Sequence, residues 1–154
     1  YFAVYIVRFT GGLKDPDIPG PRFHHTIWVE TDPKDKDGIK FHVIGDITSK
    51  GGMTYKSDGC HDPMAELECH NKEFLGYTAA KDFRDDWDRI LRGLPTPPKQ
   101  KEFNIKTLKT ELVKCWDPLT FYAPGEERHV PWKCTEWTND YAIPALHEAG
   151  LVVQ

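Results

Sequence analysis

The sequence predicts an α+β fold: an antiparallel β-sheet from the first half of the chain, packed against a C-terminal helix and a second helix. Three observations predict it. Segments rich in β-branched and aromatic residues gather before residue 80. Two later stretches change to helical spacing. No repeat, linker or low-complexity run divides the 154 residues, so residues 1–154 read as a single domain, long enough to bury a real core.

Tyr1 to Phe9 reads as the first strand, and the Gly/Pro/Asp-rich stretch from Gly11 to Pro21 as a loop. Arg22 to Thr31 is the second strand, Asp32 to Gly38 a charged turn, and Ile39 to Gly45 the third strand, a hairpin partner of the second. Gly51 to Lys56 and Glu73 to Thr78 supply a fourth and a fifth. Phe83, Trp87, Ile90, Leu91 and Leu94 then recur at helical spacing, which places a helix over 80–93. Gly93 and the run from Pro95 to Pro98 end it. Phe103 to Trp116 fits two patterns. Ile105, Leu108, Leu112 and Val113 suit a helix, while Lys106 to Thr110 alternates as a strand does. Pro118 to Pro131 is a loop with a charged centre. Thr135 to Ala149 carries an apolar stripe of Trp137, Tyr141, Ala145 and Leu146. Pro144 lies inside it and must kink or split the helix, because its ring removes a backbone donor. Gly150, followed by Leu151, fits a glycine just past a helix end with an apolar contact after it.

Composition narrows the function classes. With 39% hydrophobic and 12% aromatic residues the chain is not disordered. A net charge of −4 without a basic patch argues against nucleic acid as a partner. No apolar run approaches the roughly 20 residues needed to span a bilayer. Tyr1 to Phe9 contains Arg8 and lacks a small-residue cleavage site, so it reads as a strand and not as a signal peptide; a leader lost ahead of Tyr1 stays open. Cysteines at 60, 69, 115 and 134 are too sparse for a disulfide scaffold and fit a reducing, cytoplasmic setting, although two bridges are arithmetically possible. Cys60, His61, Cys69 and His70 are soft ligands, but their spacing departs from the usual zinc patterns, and no metal or other cofactor is expected. Asp82, Asp85, Asp86 and Asp88 alternate with Arg84, Arg89 and Arg92, the pattern of a solvated, salt-paired helix face.

The chemistry-bearing residues are a thiol and three imidazoles. Cys134 opens the last helix, where the positive end of the dipole favours thiolate, the nucleophilic form. A thiol nucleophile needs a base within reach. His24 and His25 head the second strand, and because side chains alternate, at most one of them faces the Cys134 helix. His42, on the neighbouring strand, could orient the base through a ring nitrogen, as the third member of a triad does. Trp28 shares the face of His24 and could wall a pocket; Trp132 lies two residues before the thiol and could shield it.

The stretch His24-His25-Thr26-Ile27-Trp28-Val29, the segment Phe41-His42-Val43 and the helix start Cys134-Thr135-Glu136-Trp137 together resemble the circularly permuted members of the NlpC/P60-type, papain-like superfamily, the lecithin:retinol acyltransferase-like proteins among them. The helix start also looks like that of a group of uncharacterised fungal proteins. The likeness spans residues 22–46 and 134–150, with Thr26 where the group carries Gly or Ala, and with Pro144 interrupting the helix. It implies Cys134 as nucleophile, His24 as base, His42 as orienter, and His25 as base if the register is shifted by one. It implies a thiol-dependent hydrolase or acyltransferase that forms a thioester on a small-molecule or peptide substrate. A ligand- or protein-binding domain on the same fold, without catalysis, is the other reading.

Overall fold

The computed structural model describes residues 1–11, 16–18 and 20–154, and of Asp82 the backbone alone. Part of the loop read between Gly11 and Pro21 therefore lies outside the described residues. Strands β1 (Phe2–Phe9), β2 (His24–Asp32), β3 (Asp37–Gly45), β4 (Met53–His61) and β5 (Cys69–Thr78) form one antiparallel sheet in the order β4-β3-β2-β1-β5. All five were legible as strands, and β2 and β3 form the expected hairpin, with Ile27 opposite Phe41 and Val29 opposite Ile39.

Alternation sorts the side chains onto two faces. Val4, Ile27, Val29, Phe41 and Val43 point to one face and carry the larger core cluster. Helix α1 (Asp85–Arg92) covers it with Trp87 and Leu91, and the C-terminal helical run covers it with Trp137, Ala142 and Leu146. Trp87 Nε1 donates to Thr78 Oγ1 at 2.9 Å, which satisfies the one polar atom this large side chain brings into the core. Val7, Phe9, Trp28 and Cys60 point the other way and form a smaller cluster. Residues 62–68 connect β4 to β5, the two outermost strands, on that second side. Trp28 is fully buried there and donates from Nε1 to Cys60 O at 2.9 Å. Gly38 makes room for it: a Cβ at that position would lie 2.7 Å from Trp28 Nε1 and 2.2 Å from Val29 O.

On α1, Arg84 pairs with Asp88 at 3.7 Å and Arg89 with Asp86 at 3.1 Å, as the charge spacing anticipates. The ambiguous stretch Phe103 to Trp116 resolves as strand. Lys101–Asn104 (β6), Lys109–Trp116 (β7) and Leu119–Phe121 (β8) form a second antiparallel sheet, in the order β6-β7-β8. β8 also takes the first residues of the stretch read as a loop from Pro118. The helical spacing there was accidental, because Ile105 and Leu108 occupy the turn between β6 and β7 and are 79% and 72% exposed. This sheet is tied to the rest of the molecule through Gln100, whose amide donates to Trp132 O at 2.7 Å and accepts from Trp132 N at 2.8 Å. Asp17 pairs with Lys101 and with Arg128, each at 2.9 Å, and joins three distant segments.

The last helical run comprises α2 (Cys134–Glu136), a wider π-helical stretch over Trp137–Ala142, and α3 (Ile143–Glu148). Pro144 accounts for the wide turn. It has no N–H to donate, and its ring would press on the carbonyl four residues back. The helix admits one extra residue instead, and Ile143 N bonds to Thr138 O, five residues back. The buried stripe is displaced as a result. Ala142, not Tyr141, continues from Trp137, and Tyr141 is exposed. The run ends as expected: Gly150 has φ +73°, Gly150 N bonds to His147 O, and Leu151 N bonds to Leu146 O at 2.9 Å. The chain then pairs Val153 with Tyr77 on the free side of β5. Among the described residues no helix is long and apolar enough to cross a membrane.

Candidate active site

His25 shares its face with Ile27 and Val29, so the alternation that buries those two aliphatic residues also turns His25 toward the helices. His24 shares the opposite face with Thr26 and Trp28. The sequence motif assigned the base position to His24. The structure turns His25, the alternative base named if the register were shifted by one, and not His24, to the face that Cys134 packs on.

Two separate imidazole groups result. On the helix face, Cys134 is 8% exposed and belongs to the larger core cluster. Its sulfur donates to Phe23 O at 3.8 Å. His25 Nδ1 lies 3.2 Å from that same oxygen and 3.0 Å from Thr135 Oγ1. Sulfur and imidazole are thus neighbours across one carbonyl oxygen and are not hydrogen-bonded to each other. Arg8, opposite His25 in the β1–β2 ladder, donates from Nε to His25 Nε2 at 3.2 Å. Arg22 binds both oxygens of Glu136, at 2.5 and 2.7 Å, and Glu136 also accepts from Lys133 N at 2.7 Å. That pair pins the start of α2 to the residues leading into β2.

On the other face, His24 Nε2 lies 2.9 Å from His42 Nδ1, and His42 Nε2 lies 3.3 Å from Asp58 Oδ2. The His24–His42 pair therefore lies on the far side of the sheet from the sulfur, away from the helix that carries Cys134. The carboxylate sets the proton positions along the chain. His42 donates from Nε2 to Asp58, accepts at Nδ1 from His24 Nε2–H, and leaves the His24 Nδ1 lone pair free.

Burial pushes all three imidazoles toward the neutral form. His24 falls to about 4, through burial first and then through the neighbouring His42 and Lys40 charges. His25 is lowered by burial and by Arg8 and Arg22, against the opposing pull of the Phe23 carbonyl and Glu136. His42 is lowered by burial, with Asp58 opposing.

The two tryptophans have structural surroundings. Trp28 shares the His24 face, as read, but is core and not a pocket wall. Trp132 packs on Tyr141, with ring centroids 5.2 Å apart. The soft-ligand quartet also points to separate partners: His61 Nδ1 pairs with Asp37 at 2.7 Å, and His70 stacks on Phe23. Among the described residues no group of three or more potential ligands could hold a metal ion. Sequence reasoning missed Arg8, Thr135, Arg22, Glu136 and Asp58. Only Glu136 carried a readable signal, an acidic residue two positions into a helix.

A family model described as a family of unknown function (DUF6540) matches residues 4–153. No curated protein and no solved structure matches the chain.

Proposed function

The chain belongs to the DUF6540 family, whose function is unknown, and from the side chains gathered here we propose that it is a thiol-dependent hydrolase or acyltransferase, with Cys134 as nucleophile and His25 as base. One observation carries this reading. A helix-start thiol and a buried imidazole, 109 positions apart in sequence, converge on the Phe23 carbonyl oxygen. The pair fits the order of elements in the permuted papain-like arrangement, early strand histidine and late helix cysteine, and that finer fold assignment is part of the proposal. So is a reducing, cytoplasmic setting, where the four free thiols would stay free.

The reaction takes an amide or ester of a small molecule or peptide. His25 accepts the thiol proton, and the sulfur attacks the acyl carbon. The backbone N–H of Cys134, at the first residue of α2 and without an intrahelical acceptor, donates to the oxyanion. The amine or alcohol leaves with the proton from His25, and a thioester remains on Cys134. Water resolves it in the hydrolase, and a second amine or alcohol resolves it in the acyltransferase, with His25 accepting the incoming proton and the thiol recovering it.

A second reading, a binding domain without catalysis, is favoured by a different observation: Cys134 is almost fully buried and both ring nitrogens of His25 are engaged. Alkylation separates the two. With Cys115 replaced by serine, the iodoacetamide rate at Cys134 is followed from pH 5.5 to 9, with and without His25→Ala. The proposal expects reaction well below the ordinary thiol pKa of about 8.5 and a loss of about tenfold or more in His25→Ala. A His25-independent profile with an ordinary midpoint favours the binding domain.

A further inference from the structure

We infer that Arg8 is a positioning residue that caps the basic nitrogen of His25 and holds the thiol–imidazole pair back until its Nε swings off His25 toward the β5 side chains it already touches. The inference rests on the reading of Cys134 and His25 as the reacting pair, and it adds the regulation of that pair.

A neutral imidazole has one N–H and one lone pair, and only the lone pair can take a proton. Arg8 Nε can only donate, and at 3.2 Å it points its hydrogen at His25 Nε2. Nε2 is therefore the lone-pair nitrogen, and the ring proton is on Nδ1. The other contacts agree. Nδ1 lies 3.2 Å from Phe23 O, which can only accept, and 3.0 Å from Thr135 Oγ1, which can accept. The resting ring has its proton directed toward the carbonyl it shares with the sulfur, and its only basic site is occupied by a cation. Protonating that site would set an imidazolium N–H against a guanidinium N–H. The thiolate–imidazolium pair that cysteine catalysis uses is suppressed, though not abolished, while Arg8 stays there, so the wild-type chain keeps part of its His25-dependent reactivity and loss of Arg8 raises it.

Arg8 also has somewhere else to go. Nη1 reaches Asn71 Oδ1 at 3.3 Å, and Nη2 reaches Glu73 Oε2 at 3.6 Å, both on β5. A modest swing toward this carboxylate and amide keeps the guanidinium paired while it uncovers Nε2; the ring proton can then exchange from Nδ1 to Nε2, which leaves Nδ1, the nitrogen on the sulfur's side, free to take the thiol proton. Arg22, which also lowers the basicity of His25, has no such freedom, because Glu136 holds it with two bonds.

The test is ¹⁵N-detected NMR of the imidazole nitrogens in the intact chain, with His25→Gln used to assign the signals. The expected result is a neutral His25 carrying its proton on Nδ1, with an Nε2 signal shifted by hydrogen bonding. In Arg8→Met that signal moves to the position of an unbonded lone pair, and the His25 titration midpoint rises by about one pH unit or more. The alkylation rate of Cys134 at pH 6.5 then rises about tenfold. A proton on Nε2 in the wild-type chain overturns the inference with no variant needed. So does an Arg8→Met spectrum and titration identical to wild type. The two readings fail separately: nitrogen signals that move while alkylation stays unchanged support the cap and count against Cys134–His25 as a reacting pair.

Discussion

His24 Nε2 and His42 Nδ1 are 2.9 Å apart, a distance at which one nitrogen must carry the proton and the other must not. Acid disrupts that division of roles. The folded-state midpoint of His24 is depressed to about 4 from an unfolded value of 6.5, and those of His25 and His42 are lowered as well. Between these limits the unfolded chain binds more protons than the folded one. The stabilisation is therefore complete above pH 6.5 and is lost as the pH falls toward 4. For His24 it is on the order of 2 kcal/mol after allowance for its partial exposure. Urea denaturation at pH 7.5, 5.5 and 4.5 should show the midpoint falling, and His24→Phe should flatten the decline.

Asp17 is a support of a different kind. Its carboxylate and the ammonium of Lys101 are 9% and 8% exposed, and Arg128 also pairs with the carboxylate. Asp17→Ala leaves a buried ammonium without this partner, which costs about 3 kcal/mol. Replacing Asp17 and Lys101 together by leucine and methionine should cost less than Asp17→Ala alone. Chemical denaturation of the two variants at pH 7 checks this.

Gly38→Ala tests the seat of Trp28. The new methyl would lie 2.2 Å from a backbone oxygen that cannot move without breaking the β2–β3 ladder. The expected cost is about 3 kcal/mol, or roughly 10 °C in Tm. Trp28 fluorescence should shift to the red as the indole loses its burial.

Thiol labelling should separate Cys115 from Cys60 and Cys69. Burial pushes the Cys60 and Cys69 thiols up, and nearby Glu66 and Asp62 add to it. Neither should alkylate appreciably in the native chain at pH 7. Cys115 is exposed and should label before either of them. Mass spectrometry of native and urea-treated samples gives the order; fast labelling of Cys60 would contradict the burial described here.

β1, β2 and β3 could be read because each buries several large apolar residues, and α1 because Trp87 and Leu91 recur at helical spacing, whereas β4 and β5 bury few and were read over only part of their length. The second sheet could not. β6 is four residues long, and the apolar residues flanking it, Ile105 and Leu108, belong to an exposed turn where no burial selects a period. At the site, the sequence supplied Cys134, His24, His25 and His42 but not their grouping. One residue of register decides which imidazole faces the sulfur, and that register follows from Ile27 and Val29 needing the helix-covered face. Arg8 was hidden for a related reason: its place beside His25 depends on the pairing of β1 with β2, which short-range patterns do not encode.

The wide turn over Trp137–Ala142 has a consequence for the sulfur ten residues before Pro144. An extra residue in one turn is a rotational offset of about 100° between the two ends of a helix. Leu146, at one end, is locked in the core, so the azimuth of Cys134 at the other is set by that offset. A proline that touches neither thiol nor imidazole thus determines which way the thiol is aimed. If the run were rewound as a regular α-helix with Leu146 held in place, Cys134 would swing away from Phe23.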